Sequence, residues 1–106
     1  MAKQKPLQIH WDPAKAERNQ SKYGVSFDEA ATVFKDRHAV FSDDEEHSQK
    51  EKREIVTGMS NRKRLLTCFF ARAEGSVQVI AARTATHRER QDYDDEESTK
   101  VLYQVK

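Results

Sequence analysis

The sequence predicts an α+β fold: an antiparallel sheet of about four strands with two amino-terminal helices and a short carboxy-terminal helix. Three observations carry this expectation. Two stretches with helix caps and helical spacing occupy the first third of the chain. Three strand-like stretches, separated by turns of about four residues, fill the middle. A further Thr-x-x-Glu capping signal follows the last of them. At 106 residues the chain has the length of one domain, residues 1–106. A chain of this size buries roughly two thirds of its unfolded surface, which allows a shallow site but no deep cofactor cavity.

In order, a polar leader, residues 1–6, precedes Leu7-Gln8-Ile9-His10-Trp11, which alternates apolar and polar as a half-buried strand does. Asp12 is placed to cap a helix with Pro13 at its first position, running over about 13 to 22 and stopped by Gly24. Ser26 and Glu29 form a capping box for a second helix, with Phe27, Ala30, Ala31 and Phe34 on one stripe. Residues 39–42 read as a short strand. Asp43-Asp44-Glu45-Glu46 is too acidic for a core and reads as a solvated loop. Strands over 54–59, 65–71 and 77–84 form a meander. Thr86 and Glu89 open a last helix through about Tyr93. The acidic run that follows leads into a tail, 98–106, where Val101, Leu102, Tyr103 and Val105 are placed to dock.

Composition narrows the function classes. Lys and Arg number 19 against 18 Asp and Glu, so the net charge of +1 calls for neither a nucleic-acid binder nor an acidic tail protein. The distribution is less even. Lys50 to Arg64 holds six basic residues against two acidic ones, a net of +4 that reads as a basic face, whereas Asp92 to Glu97 carries five acids and no base. Such runs are either solvated faces or, for the basic one, a phosphate-binding surface. The single cysteine, Cys68, excludes an intrachain disulfide and fits a reducing cytoplasm. No apolar run is long enough for a membrane span. With three glycines there is no phosphate loop or dinucleotide fingerprint, which excludes nucleotide-dependent enzymes, and no cofactor is expected. The four scattered histidines make no zinc pattern, and no metal site is expected.

The run Trp11-Asp12-Pro13-x-Lys15 followed by Asn19-x-x-Lys22-Tyr23-Gly24-Val25-Ser26-Phe27-x-Glu29-Ala30-x-x-Val33-Phe34-x-Asp36 resembles the amino-terminal signature of the BrnT toxins of type II toxin–antitoxin modules. Glu51-Lys52-Arg53, Gly58, Arg64-Leu65-Leu66, Ile80-Ala81-Ala82-Arg83-x-Ala85 and Glu89-Arg90-x-x-Tyr93 continue it in the family's order. The resemblance covers about residues 9 to 93. It implies a RelE-like antiparallel sheet, metal-independent endonucleolytic cleavage of RNA, and neutralisation by a BrnA-type antitoxin through which alone DNA is contacted. A homodimer or a toxin–antitoxin heterotetramer fits that implication. Two positions depart from the pattern: Tyr23 stands where the family most often has histidine, and Ala81 where serine is common.

Metal-independent RNA cleavage needs a base for the 2′-hydroxyl, an acid for the 5′-oxygen and cations around the phosphorus. Arg83, at the end of the Val77, Val79, Ala81 face and just before a helix, is either a phosphate ligand or a strand-end salt bridge. Arg90 and Tyr93 lie one turn apart and share a face. They are catalytic candidates, with a salt bridge and an aromatic plug as their structural readings. Arg64 and Glu51 complete the catalytic candidates, Glu51 as a possible general base. Lys22, Arg53, Lys63 and His87 are the candidates for binding RNA, with His87 also a conceivable acid. The competing reading is a non-enzymatic antitoxin-binding or co-repressor module whose catalytic surface has decayed. The aromatics Trp11, Phe27, Phe34, Phe41, Phe69 and Phe70 have the spacing of core residues.

Overall fold

The structure is a computed structural model that describes residues 7–47 and 51–104, with side chains as far as residue 96. The leader, Lys50, and the docking expected of Val101, Leu102, Tyr103 and Val105 lie outside the described residues or side chains. The elements are β1 (Gln8–His10), α1 (Pro13–Tyr23), α2 (Phe27–Ala31), β2 (Val40–Asp43), β3 (Arg53–Met59), β4 (Leu65–Ala73), β5 (Ser76–Thr84) and α3 (His87–Gln104). Short 3₁₀ turns at Thr32–Lys35 and Glu45–His47 follow α2 and β2.

The sheet has five strands in the order β1-β5-β4-β3-β2, one more than the expected four. It is mixed, because β1 lies parallel to β5, with Ile9 opposite Val77, while the other three pairings are antiparallel. The parallel pair needs a long crossover, and the chain between β1 and β5 supplies it as the two helices and the meander.

Local chemistry sets the helix starts. Asp12 accepts the Ala14 amide at 2.9 Å, and Ser26 Oγ accepts the Glu29 amide at 3.1 Å. The return half of the second capping box is absent, since the Glu29 carboxylate is drawn instead to Arg64 and Ser60. At α3 the box is complete: Thr86 Oγ1 accepts from Glu89 N at 3.2 Å, and Thr86 N donates to Glu89 Oε1 at 2.8 Å. α3 is not short. It runs 18 residues, because no glycine or proline follows Gly75 and the acidic stretch is compatible with a helix.

One face of the sheet meets α1 and α2. Val25, Phe27, Ala30 and Val33 bury against Val56, Leu66, Cys68, Phe70, Val77, Val79 and Ala82. Burial pushes the Cys68 thiol up to about 12, so it remains a small apolar group here. Phe34 is half-buried at the rim of this core, between Phe70 at 5.0 Å and Phe41 at 6.3 Å between ring centroids. Gly58 lets the turn after α2 approach β3, since a Cβ there would stand 3.1 Å from the Val33 carbonyl oxygen.

The other face meets α3, and the placement of β5 side chains on it departs from simple alternation. Phe69 pairs with Ala81 but Phe70 with Val79, so Ile80 is an extra residue, a bulge in β5. Val77 and Val79 face the core, and beyond the bulge it is Ala82 that does so. Ala81 and Arg83 therefore lie on the α3 face, not on the Val77–Val79 face expected from alternation.

The expected solvated loop at 43–46 is also different. Asp43 closes β2, and Asp44 is buried at 6% exposure, its amide donating to Arg53 O at 2.9 Å. The basic segment is divided: Arg53 looks onto the α3 face, Arg64 reaches back to α2, and Lys52 pairs with Asp43 at 3.6 Å. No described helix is long and apolar enough to cross a membrane.

Candidate active site

The site begins as one row across three strands. Thr57, Thr67 and Arg83 are register neighbours on β3, β4 and β5. The two hydroxyls lie 2.9 Å apart, and Thr67 Oγ1 donates to Glu89 Oε1 at 2.9 Å. Glu89, in the first turn of α3, takes Arg83 in a fork: Nη1 to Oε1 at 2.7 Å and Nη2 to Oε2 at 3.0 Å. Burial works against a charge on Glu89, but Arg83, the Thr86 amide and Thr67 outweigh it and bring the carboxyl down to about 2. Arg83 is held correspondingly firmly in its charged form, chiefly by its hydrogen bond to Glu89.

The next row supplies a floor. Phe69 pairs with Ala81, and the Arg83 guanidinium carbon sits 5.2 Å from the Phe69 ring centroid, a cation–π contact. Beyond it stand Arg53 and the turn after β2, in which His47 Nδ1 lies 3.0 and 3.1 Å from the two oxygens of Asp44. A buried carboxylate therefore fixes one ring nitrogen of a histidine whose side chain is 54% exposed. Tyr23, the last residue of α1, completes the rim. Together Tyr23, Asp44, His47, Arg53, Phe69, Ile80, Ala81, Ala82 and Arg83 line a cleft of about 280 Å³.

Asn19 ties α1 to this cleft. Its amide nitrogen donates to Val25 O and to Ala82 O, both at 2.9 Å, and its oxygen accepts from Ala82 N at 3.0 Å. β1 covers β5 only as far as Gln78, so Asn19 satisfies the edge groups of Ala82 that no strand reaches.

Of the residues predicted from sequence, Arg83 and Arg53 line the cleft, and Lys22 adjoins it, its Nζ 5.2 Å from the Tyr23 ring centroid. The others do not line it. Arg64 binds Glu29, with Nε to Oε2 at 2.9 Å. That guanidinium, helped by Ser60 and opposed by burial, holds the Glu29 carboxyl below the usual range. Tyr93 is buried, and its hydroxyl donates to Asp36 Oδ2 at 2.6 Å, so it does not share Arg90's exposure. Arg90, His87, Glu51 and Lys63 are exposed, the last in the β3–β4 turn with φ 62°. Sequence reasoning missed Asp44, His47 and Phe69. The Asp44-x-x-His47 spacing was the available signal for the first two. Among the described residues, no three of His, Cys, Asp and Glu are grouped to hold a metal ion.

A family profile described as "Ribonuclease toxin, BrnT, of type II toxin-antitoxin system" matches residues 11–89. The chain belongs to the BrnT family. That span contains every residue lining the cleft. The fold agrees with the crystal structure of the Brucella abortus ribonuclease toxin BrnT at a TM-score of 0.58 and 21% identity, over 76% of this chain and 99% of that one. No curated protein matches the chain. Membership in this family of type II toxins implies an antitoxin partner.

Proposed function

We propose that this BrnT-family chain is a metal-independent endoribonuclease acting in the cleft between α1, β5 and the turn after β2, and that a BrnA-type antitoxin neutralises it. One observation carries the reading: Arg83, Arg53 and the Asp44–His47 pair converge on one cleft. Two guanidiniums suit the equatorial oxygens of a phosphate as negative charge builds there, so the scheme requires no metal ion. An imidazole with Nδ1 held by a carboxylate is oriented to take the 2′-hydroxyl proton at Nε2. The 2′-oxygen then attacks phosphorus, the bond to the 5′-oxygen breaks, and that oxygen takes its proton from water at the shallow cleft. The products are a 2′,3′-cyclic phosphate and a 5′-hydroxyl. Glu89 is a positioning residue that aims Arg83. In this reading Arg64 and Tyr93 hold the fold through Glu29 and Asp36.

The test is purified protein with RNA in EDTA. Fragments ending in a cyclic phosphate or 3′-phosphate are expected. Arg83→Ala should slow their formation on the order of a hundredfold or more. The pair Arg83→Ala with Glu89→Gln removes the orphaned carboxylate and should be as slow while folding normally. Intact RNA at high protein excess would overturn the reading in favour of a binding module.

A further inference from the structure

Tyr23 is exposed at 44%, and its ring takes no part in the contacts among described aromatic rings. Phe41 is comparably exposed but packs on Phe34 and Phe70. Tyr23 lines the cleft with Arg83 and Phe69, and the Lys22 ammonium lies 5.2 Å from its ring centroid. Its backbone is fixed in place. Gly24, left-handed at φ 70°, ends α1 immediately after it, with its amide on Gln20 O at 2.9 Å. Four residues earlier, Asn19 clamps the same helix to Ala82, the neighbour of Arg83. The distance between the Tyr23 backbone and the Arg83 backbone is thereby set by hydrogen bonds.

We infer that Tyr23 is a stacking platform for one unpaired nucleobase of the substrate, set so that the adjoining phosphate falls at Arg83 and the next within reach of Lys22. This inference rests on the ribonuclease reading and names its substrate class, single-stranded RNA. An exposed aromatic on a fixed backbone beside a cation is the arrangement that binds single strands, since every base offers a π-face and every nucleotide a phosphate. A base held in a duplex is stacked on both sides and cannot lie on Tyr23. Stacking is tolerant of base identity, so selection by Tyr23 is for strandedness and not for sequence.

The experiment measures the affinity of a short single-stranded 2′-O-methyl oligoribonucleotide, which binds but cannot be cleaved, by fluorescence anisotropy. Tyr23→Ala should weaken binding by about 5- to 150-fold, the range of one base–aromatic stack. Tyr23→Phe, which keeps the ring, should restore most of it. Against an oligonucleotide abasic at every position, which offers no base to stack, wild type and Tyr23→Ala should bind alike. Binding by Tyr23→Ala equal to wild type on the intact strand, or Tyr23→Phe as weak as Tyr23→Ala, or a loss on the fully abasic strand as large as on the intact one would each overturn the stacking role. If wild type cleaves unmodified RNA in an Arg83-dependent way while Tyr23→Ala binds normally, stacking alone fails. If wild type neither binds nor cleaves RNA, the ribonuclease reading fails and this inference with it.

Discussion

Asn19 satisfies three backbone groups with one side-chain amide, at Val25 and at both polar groups of Ala82. Replacing it by alanine strands those groups where water has little access. The expected loss is roughly 1 to 3 kcal/mol, to be read from urea unfolding; an unchanged midpoint would mean that water replaces the amide. Glu89 is the other residue on which the site turns. Its folded-state carboxyl lies near 2 against an ordinary 4.5. Because the folded value is depressed, its stabilisation is complete above about pH 4.5 and is lost as pH falls toward 2. Glu89→Gln should flatten the fall in melting temperature across that window, and an identical pH profile for the variant would contradict the pairing with Arg83. Neither role was legible in the sequence. Asn19 stood in the family signature with nothing to say what it bonds, and Glu89 read as a cap, which it is, without the guanidinium brought to it by β5.

At the scale of elements, caps and stripes are local chemistry, and there the sequence was readable. Asp12, Ser26 and Thr86 begin helices as expected, and the β3–β4–β5 meander lies where its turns placed it. The length of α3 is not visible in the sequence, where an acidic run reads as solvated tail, whereas a helix so attached need only be anchored near its start. Tyr93 is that anchor. Asp36 Oδ2 accepts both its hydroxyl and the Met59 amide at 2.7 Å, and Oδ1 accepts the His38 amide at 2.9 Å. Burial opposes the charge on Asp36, but these bonds hold its carboxyl below the usual range. Tyr93→Phe removes one hydrogen bond to a charged group and should cost about 1.5 to 3 kcal/mol. Hydrogen exchange in α3 should rise with it, and an unaffected helix would show that other contacts hold α3 to the sheet.

Across the whole molecule, the two sheet faces have separate duties: one buries the core under α1 and α2, the other carries Arg83, Phe69 and Arg53 beside α3. Net charge along the chain could not reveal this, since Arg53 and Arg64 are close in sequence yet serve opposite faces. The bulge at Ile80 decides which residues of β5 serve each, since it shifts the alternation by one beyond Val79. Deleting Ile80 removes the extra residue and restores simple alternation beyond Val79, so Arg83 should keep its face, and RNA cleavage and cooperative unfolding should persist, as they should in Ile80→Ala. A deletion variant that melted without cooperativity or left RNA intact would show that the bulge itself shapes the cleft. Counted along β5, inward residues carry odd numbers up to Val79 and an even number at Ala82. The strand thus contains a phase slip of one residue. When relatives are aligned, a one-residue gap at this point is therefore benign, for a chain lacking that residue would alternate regularly from Val79 onward and still turn its arginine toward the substrate and its second alanine into the hydrocarbon interior.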